Sequence, residues 1–399
     1  MRGDSAHRAE VRAQRAEVYL GDGRALRFDS HGTLNFQLRG RRRKLLVFGP
    51  VDEVRGSAPH NSASMQLSAN MNTVIVTGAN TGLGFECARA LAETHEWRVI
   101  VACRSIEKGR DAVKRLIAHT RHPEIEAMTL DLASLESVRN FARDYAAERR
   151  PPLRALVCNA ATQIVTGRTY TVDGFETTFA VNHLGHFILV NLMLAQMEPP
   201  ARIVVVGSGV HDPKQATGMP APIYKSARIL ARPDEDSKPL NDPPGTAGRR
   251  AYATSKLCNL LFTYELERRL RSERRAAGTS GRPITVNAFD PGLMPGTGLA
   301  RDYGPMARFA WRFVLPALRP FVPNVNSVAR SGRALASMVT EPKFERISGR
   351  YFQGTRDVPS SMDSYDPAMA TDLWESSASM VKLMPTETIL SLRSAPSAA

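Results

Sequence analysis

The sequence predicts an α/β fold: a single doubly wound parallel sheet with helices on both faces, preceded by an N-terminal extension. Three observations carry it. From Met71 onward, short runs rich in Val, Ile and Thr alternate with amphipathic stretches in a βαβαβ rhythm. Runs such as 203–206 (Ile-Val-Val-Val) are continuously apolar, as parallel strands covered on both faces must be. A glycine-rich turn from Gly78 to Gly84 joins the first of these strands to the first helix.

In chain order, 73–77 is the first strand and 82–94 the helix it feeds. Residues 98–102 and 107–119 repeat the pair. Further strands are expected at 125–130, 155–158 and 202–206, with helices at 134–147 and 178–197. The stretch 210–248 breaks the rhythm; rich in Pro, Asp, Lys and Gly, it reads as a long surface loop with at most one short helix. Residues 251–270 form a strong helix, 284–289 a strand, 349–352 a last edge strand and 368–383 a terminal helix. No internal repeat is visible. The expected organisation is an extension over 1–70, one domain over 71–385 carrying an insertion at 210–248, and a frayed tail over 386–399.

A chain of 399 residues can bury a large core, and 43% hydrophobic with 23% charged residues is ordinary for a globular protein. The four cysteines (Cys87, Cys103, Cys158 and Cys258) are too few for a disulfide scaffold and fit a reduced, cytoplasmic setting. No stretch reads as a continuous apolar span across a membrane. The charge is the unusual quantity. Fifty-three Lys and Arg against 39 Asp and Glu give +14, which favours an anionic partner: nucleic acid, acidic lipid or a phosphorylated ligand. The first 70 residues hold 12 Lys/Arg and 7 Asp/Glu. They lack the apolar region of a secretory signal and carry too many acids for a transit peptide. Short strands at 18–20, 34–38 and 45–48 would make a small β appendage. The alternatives are a disordered arm, or an extension upstream of a start at Met65 or Met71.

Gly78, Asn80, Thr81, Gly82, Leu83 and Gly84 belong to a Gly-x3-Gly-x-Gly turn between strand and helix. This is a variant of the dinucleotide fingerprint of a Rossmann-type sheet. Its glycines let the backbone approach a pyrophosphate, while the helix N-terminus supplies donors and positive potential. The second strand ends in Arg104 rather than an acid, with Lys108 one helical turn on, which points to the 2′-phosphate of NADP(H) rather than the 2′-hydroxyl of NAD(H). A solvated Arg capping the turn is the plainer reading. Asp131 and Leu132, after the third strand, are placed to contact the adenine end; Asp131 could instead cap the helix starting near Ser134.

Tyr252 and Lys256 lie four apart on one helix face. A phenol with a pKa of about 10 is a poor acid or base at neutral pH, and a neighbouring ammonium makes its phenolate accessible. Such a pair can exchange a proton with a carbonyl oxygen while hydride moves at carbon.

With these residues in place, the chain resembles the short-chain dehydrogenase/reductase family. The motifs Thr77 to Gly84, Asp131, Asn159-Ala160-Ala161, Asn182, Ser208, Tyr252/Lys256 and Pro291-Gly292 run in the family's order over about 71–385. The resemblance implies Tyr252 as catalytic acid/base. Lys256 would bind the nicotinamide ribose and lower the tyrosine pKa, Ser208 would bond the substrate carbonyl, and Asn182 would hold a water in a proton relay. It also implies that Asn159 and Ala160 line the cofactor, that Pro291 and Gly292 flank the nicotinamide, and that Thr297, one residue later than usual, reaches the carboxamide. Ser208 precedes Tyr252 by 44 residues where about a dozen is usual, so the insertion would border the substrate mouth.

A closer resemblance is to the protochlorophyllide reductase-like and retinol dehydrogenase-like branch. It rests on the stretches 102–104, 156–161, 173–176, 182–187, 255–259 and 348–352 and the surroundings of Trp374. Leu293 stands where protochlorophyllide reductases carry a functional cysteine.

His183 and His186, three apart with no third ligand in sight, read as packing residues rather than a metal site. Residues 306–322 mix aromatics with arginines and admit three readings: a lid over an apolar substrate, ordinary core, or a membrane-surface helix. The expected function is NADP(H)-dependent oxidoreduction of a small-molecule carbonyl or alcohol, with a bulky apolar substrate and a homo-oligomeric assembly typical of the family. Light-dependent protochlorophyllide reduction is the same-fold alternative. A non-catalytic nucleotide sensor or nucleic-acid-binding protein is the alternative of another class; the retained Ser208, Tyr252 and Lys256 argue against nucleic acid as partner.

Overall fold

The computed structural model describes residues 17–19, 25–28, 34–38, 41–45, 71–215, 217–279, 283–294 and 325–392. The chain divides into two compact units, Met1–Ser64 and Met65–Ala399. In the first, β1 (Glu17–Tyr19), β2 (Ala25–Phe28), β3 (Leu34–Leu38) and β4 (Arg41–Leu45) pair in sequence order as an antiparallel sheet. Two strand positions differ from the sequence reading. Ala25–Phe28 was not foreseen, and the strand expected at 45–48 lies at Arg41–Leu45. β4 was hidden because it is mostly arginine and lysine, and its place is set by pairing Leu38 with Arg41 across a two-residue gap.

In the second unit, β5 (Asn72–Thr77) starts a sheet ordered β12-β11-β10-β9-β8-β5-β6-β7. The other members are β6 (Trp97–Cys103), β7 (Ile125–Thr129), β8 (Leu153–Cys158), β9 (Met197–Val206), β10 (Ile284–Asp290), β11 (Tyr351–Gln353) and β12 (Arg356–Asp357). Neighbours from β7 to β11 are parallel, and only β12 runs antiparallel. The outermost strand is therefore β12; the strand expected at the edge, β11, lies one place in. The strand order reverses between β5 and β8, and in open α/β sheets ligands bind beyond the carboxyl ends of strands at such a point.

One face of the sheet is covered by α1 (Gly82–Ala92), α2 (Ile106–Thr120) and later α8 (Val328–Thr340), through Cys87, Leu91, Leu116, Leu335 and Met338. The other carries α3 (Leu135–Ala147), a turn α4 (Thr177–Phe179) passing through a π-helical stretch (Ala180–Leu184) into α5 (Gly185–Met193), the short α6 (Ala227–Ala231), the long α7 (Pro244–Ala276) and α9 (Pro367–Met380). Phe141, Phe187, Phe262 and Trp374 interlock there. The span Thr177–Gln196 is long and apolar enough by composition to cross a membrane, contrary to the sequence reading, yet most of it is buried within the protein. Its apolarity serves the core.

Helix α7 is longer than expected at both ends. Pro244 sits in its first turn, where a missing N–H costs nothing. Gly248, read as loop, is a packing glycine: a Cβ there would lie 1.9 Å from the Ile164 carbonyl oxygen. The insertion is not a bare loop, since 209–211, α6 and 233–235 are helical and 244–248 belong to α7. It docks on α7 through Ile223 N–H to Thr254 Oγ1 (3.0 Å) and on α9 through Tyr224 O–H to Asp372 Oδ2 (2.6 Å). The terminal helix stops at Met380, three residues early, where Lys382 takes a positive φ of 52°. The four cysteines are free and buried.

Candidate active site

Thr77, the last residue of β5, knits the cofactor end together. Its hydroxyl accepts the N–H groups of Asn159 (2.8 Å) and Ala160 (2.9 Å) at the end of β8. With both lone pairs engaged, its proton faces His186 Nε2 at 2.9 Å, with the Val157 carbonyl farther off at 3.3 Å. Asn159 Nδ2 donates to the Thr77 carbonyl oxygen at 2.7 Å. The turn then needs its glycines for different reasons. Gly78 has φ +65°, and its missing Cβ would lie 3.0 Å from Ala160. Gly84 has no room, with Asn159 Nδ2 2.5 Å from a Cβ position. Gly82, at φ +60°, faces open space. The N-cap residue Thr81 makes no side-chain cap, so the first-turn amides of α1 are not committed to it. Asn80 has its carbonyl held by Arg115 (3.0 Å), which stacks on Phe85. The sequence reading missed Arg115, because its distance from the turn in sequence gives no signal.

Arg104, just after β6, and Lys108, in the first turn of α2, are exposed. Ser105, between them, caps α2 by accepting from Lys108 N–H. Asp131 is not a helix cap. Its Oδ1 takes the Ala133 N–H at 3.0 Å, while Ser134 caps α3. Leu132 is buried beside it and touches the Gly185 backbone closely enough to exclude a Cβ. Thr297 and residues 306–322 lie outside the described residues.

At the chemical end, Tyr252, Lys256 and Asn182 are buried, at 7%, 2% and 0% exposure. Lys256 Nζ donates to the Val206 carbonyl at the tip of β9 (2.9 Å) and lies 5.6 Å from the centre of the Tyr252 ring. Burial pushes the Lys256 pKa down to about 8, opposed by the Asp290 carboxylate. Ser208 follows two residues after Val206 and opens the helical turn 209–211. Asn182 sits in the π-helical stretch: its Oδ1 accepts from Thr162 N–H (2.7 Å), and its Nδ2 donates to Thr162 O and Ser255 Oγ (2.9 Å each). Ser255 in turn donates to Tyr252 O at 2.7 Å. Pro291 O accepts from Ser331 Oγ and Asn326 Nδ2, and Gly292, at φ +74°, is held by Asp290. The carboxyl ends of β5, β8, β9 and β10 thus carry the glycine turn, Asn159, Ser208 and the Pro291–Gly292 turn, and Lys256 joins them from α7 through the Val206 carbonyl.

Two buried histidines brace this arrangement. His186 Nε2 faces the Thr77 hydroxyl, so Nδ1 carries the proton and points to the Asn182 carbonyl at 3.3 Å. Burial pushes its pKa down to about 4, which keeps it neutral. His211 Nε2 accepts from Ser361 N–H (3.1 Å), so Nδ1 donates to the Ser208 carbonyl (2.6 Å). His183 packs among Phe179, Phe187 and Phe262 and meets Ser377 Oγ at 2.9 Å. Among the described residues, no cluster of three or more His, Cys, Asp or Glu could hold a metal ion.

Residues 72–225 match the short chain dehydrogenase family model. The chain is 35% identical over 343 residues to protochlorophyllide reductase A of Oryza sativa subsp. japonica, covering 81% of this chain and 84% of that protein. The chain belongs to the short-chain dehydrogenase/reductase family. It is also 35% identical over 314 residues to the human WW domain-containing oxidoreductase, covering 77% of this chain and 68% of that one. Among solved structures, an uncharacterized protein from Mycobacterium paratuberculosis shares the fold at 30% identity and a TM-score of 0.53, covering 79% of this chain and 94% of that one. Of this short-chain dehydrogenase/reductase, four supporting residues escaped the sequence reading: Thr77 (noted only as the start of the motif), Arg115, Asp290 and His211. Each acts through long-range contacts that spacing cannot reveal.

Proposed function

We propose that the protein is an NADP(H)-dependent oxidoreductase that transfers hydride between the cofactor and a carbonyl or alcohol, with Tyr252 as acid/base. The carrying observation is Lys256: a buried lysine fixed to a strand-end carbonyl, 5.6 Å from the Tyr252 ring. An ammonium there favours the phenolate, so the tyrosine can give up and regain a proton near neutral pH. The glycine turn fits a dinucleotide: Gly78 and Gly84 leave no space for a Cβ, Gly82 opens outward, and the α1 amides can take a pyrophosphate. Arg104 and Lys108 would hold a 2′-phosphate, and Asp131 and Leu132 the adenine end. Asn159, Ala160, Pro291 and Gly292 would border the rest.

The cofactor supplies or accepts the hydride. Ser208 would donate a hydrogen bond to the substrate oxygen, its backbone fixed from behind by His211. Tyr252 would pass the proton, and Lys256 would stabilise the phenolate. The Asn182 side chain is spent on Thr162 and Ser255, so its part in a proton relay would run through its backbone carbonyl. Leu293, 40% exposed just after Pro291 and Gly292, favours an apolar substrate face. Replacing Tyr252 with Phe should abolish NADPH-coupled turnover of a carbonyl panel while the thermal shift on NADPH binding persists. Substantial turnover in that variant refutes the assignment.

A second reading, light-dependent reduction of protochlorophyllide, is favoured by the 35% identity to reductases of that name. Leu293 in place of their cysteine weighs against it. Illuminating the protein with protochlorophyllide and NADPH should leave the pigment spectrum unchanged; conversion of the pigment would establish this reading instead.

A further inference from the structure

We infer that Asp290 is the counter-charge of the Tyr252/Lys256 pair, a positioning residue fixed at the tip of β10 by the Gly292 amide and the Tyr351 hydroxyl. It rests on the acid/base reading above. The inference starts from a charge problem. Lys256 is 2% exposed, and its ammonium donates to a neutral carbonyl, Val206 O. A buried ammonium without an opposite charge is costly and tends to shed its proton.

Topology supplies the compensation. Strands β9 and β10 are parallel neighbours with Phe289 beside Val206, so Asp290 extends β10 one residue beyond the level at which Lys256 is anchored. Neighbouring strands in a sheet lie about 4.8 Å apart. Asp290 is 1% exposed. Its Oδ1 accepts from Gly292 N–H (2.9 Å) and its Oδ2 from Tyr351 O–H (3.1 Å). Oδ2 also lies 3.4 Å from where a Cβ on Gly209 would stand, so the carboxylate abuts the turn that starts at Ser208. Two good donors hold the carboxylate in place.

The other charged and titratable groups around the pair and its partner can be named. His186 reaches Lys256 from α5 and is neutral. His211 stacks edge-on to Tyr351, is buried, and has its pKa lowered by that burial. Asp212 acts on Tyr351 and His211. Tyr351 is pushed up by burial and by Asp290 itself, so it remains a donor. Asp290 is the carboxylate acting on the Lys256 charge.

Removing a negative charge makes every neighbouring proton easier to lose. Asp290→Asn therefore shifts the coupled ionisations of Tyr252 and Lys256 in one direction, whichever group dominates a given limb. The test is the pH profile of kcat/KM for carbonyl reduction with NADPH, on the full chain. Asp290→Asn should move the alkaline limb to lower pH by about one unit, the lower end for a nearby charge. Asp290→Glu keeps the charge and should leave the limb in place. Asp290→Ser, small and also uncharged, gives the same arm should the Asn variant not fold. Tyr351→Phe removes one hydrogen bond but no charge and serves as the packing control, with an unmoved limb. A limb that stays put in the uncharged variants, moves to higher pH, or moves equally in Tyr351→Phe overturns the inference. Tyr252→Phe, run alongside, separates the two levels. Activity surviving there overturns the proposed function itself, whereas loss of activity with an unmoved Asp290→Asn profile overturns only the part assigned to Asp290.

Discussion

Thr77→Val is the sharpest test of how the cofactor end is held. Valine matches threonine in shape, so the change removes a hydroxyl and little else. In the wild type that oxygen takes two backbone N–H groups, from Asn159 and Ala160, and gives its proton to His186 Nε2. Thr77 and His186 are buried, at 0% and 2% exposure, while Asn159 and Ala160 are half-buried. Each buried group left without a partner costs about 1–3 kcal/mol; the Asn159 amide keeps the Val157 carbonyl at 3.1 Å, and the half-buried Ala160 amide belongs at the low end because water can reach it. The expected loss is roughly 2–4 kcal/mol. Thr77→Ser keeps the hydroxyl and loses a methyl group, worth about 1 kcal/mol. Equilibrium urea unfolding of the three proteins reads the difference directly. NADPH affinity should fall in the valine variant, since the Asn159–Ala160 end of β8 is no longer pinned to the glycine turn. A valine variant no less stable than the serine variant would refute the claim that the hydroxyl, rather than its packing, joins β5 to β8.

Arg104→Ala should raise KM for NADPH roughly tenfold and leave KM for NADH unchanged, since one charge-assisted contact is worth about 1.5 kcal/mol or more; parallel losses for both cofactors would exclude a 2′-phosphate contact. Gly332→Ala should destabilise the protein by about 1–3 kcal/mol in thermal or urea unfolding, because its Cβ would stand 2.4 Å from Glu86 Cβ and 2.8 Å from the Glu86 carbonyl carbon, prying α8 off α1; unchanged stability would mean the helices slide freely. His183→Phe tests pH linkage. Burial pushes His183 down to about 3 from an ordinary value near 6.5, so its contribution is complete above pH 6.5 and is lost as pH falls toward 3. The Phe variant should therefore show a shallower fall of unfolding free energy between about pH 6.5 and 4.5, and equal slopes would show that His183 does not carry that dependence.

The parallel sheet was legible because its strands are buried on both faces and therefore written as unbroken apolar runs. Residues 74–76, 99–101 and 203–206 need no context to be read. Helix α7 was only half legible. Tyr252 and Lys256 stood out by spacing, but Gly245 and Gly248 lower helix propensity, and nothing local says that Gly248 must be small to pass Ile164. The glycine turn was visible as a motif, yet the three glycines do different work: one steric, one conformational, one open to a ligand. That distinction appears only when β8 lies beside β5. Arg115, His211 and Asp290 were invisible for the same reason. Their partners lie up to 35, 150 and 61 positions away, and even the near one of His211, Ser208, is met through a backbone carbonyl that any residue would offer.

The two ends of the site are joined by neutral histidines, and the choice of residue has a physical reason. Between Thr77 and Asn182 the structure needs a group that accepts a proton from a hydroxyl on one side and donates to a backbone carbonyl on the other. A neutral imidazole does both across a rigid ring; a lysine or arginine can only donate, and a carboxylate can only accept. Burial holds His186 neutral, with its pKa pushed down to about 4, so the bridge keeps its polarity throughout the pH range in which Lys256 titrates. His211 solves the same problem between Ser361 N–H and the Ser208 carbonyl. Neither ring adds net charge beside the Lys256 ammonium, where a second cation would drive off its proton. Among the described residues that act on the pair, the fixed charges are thus one ammonium and one carboxylate, Lys256 and Asp290.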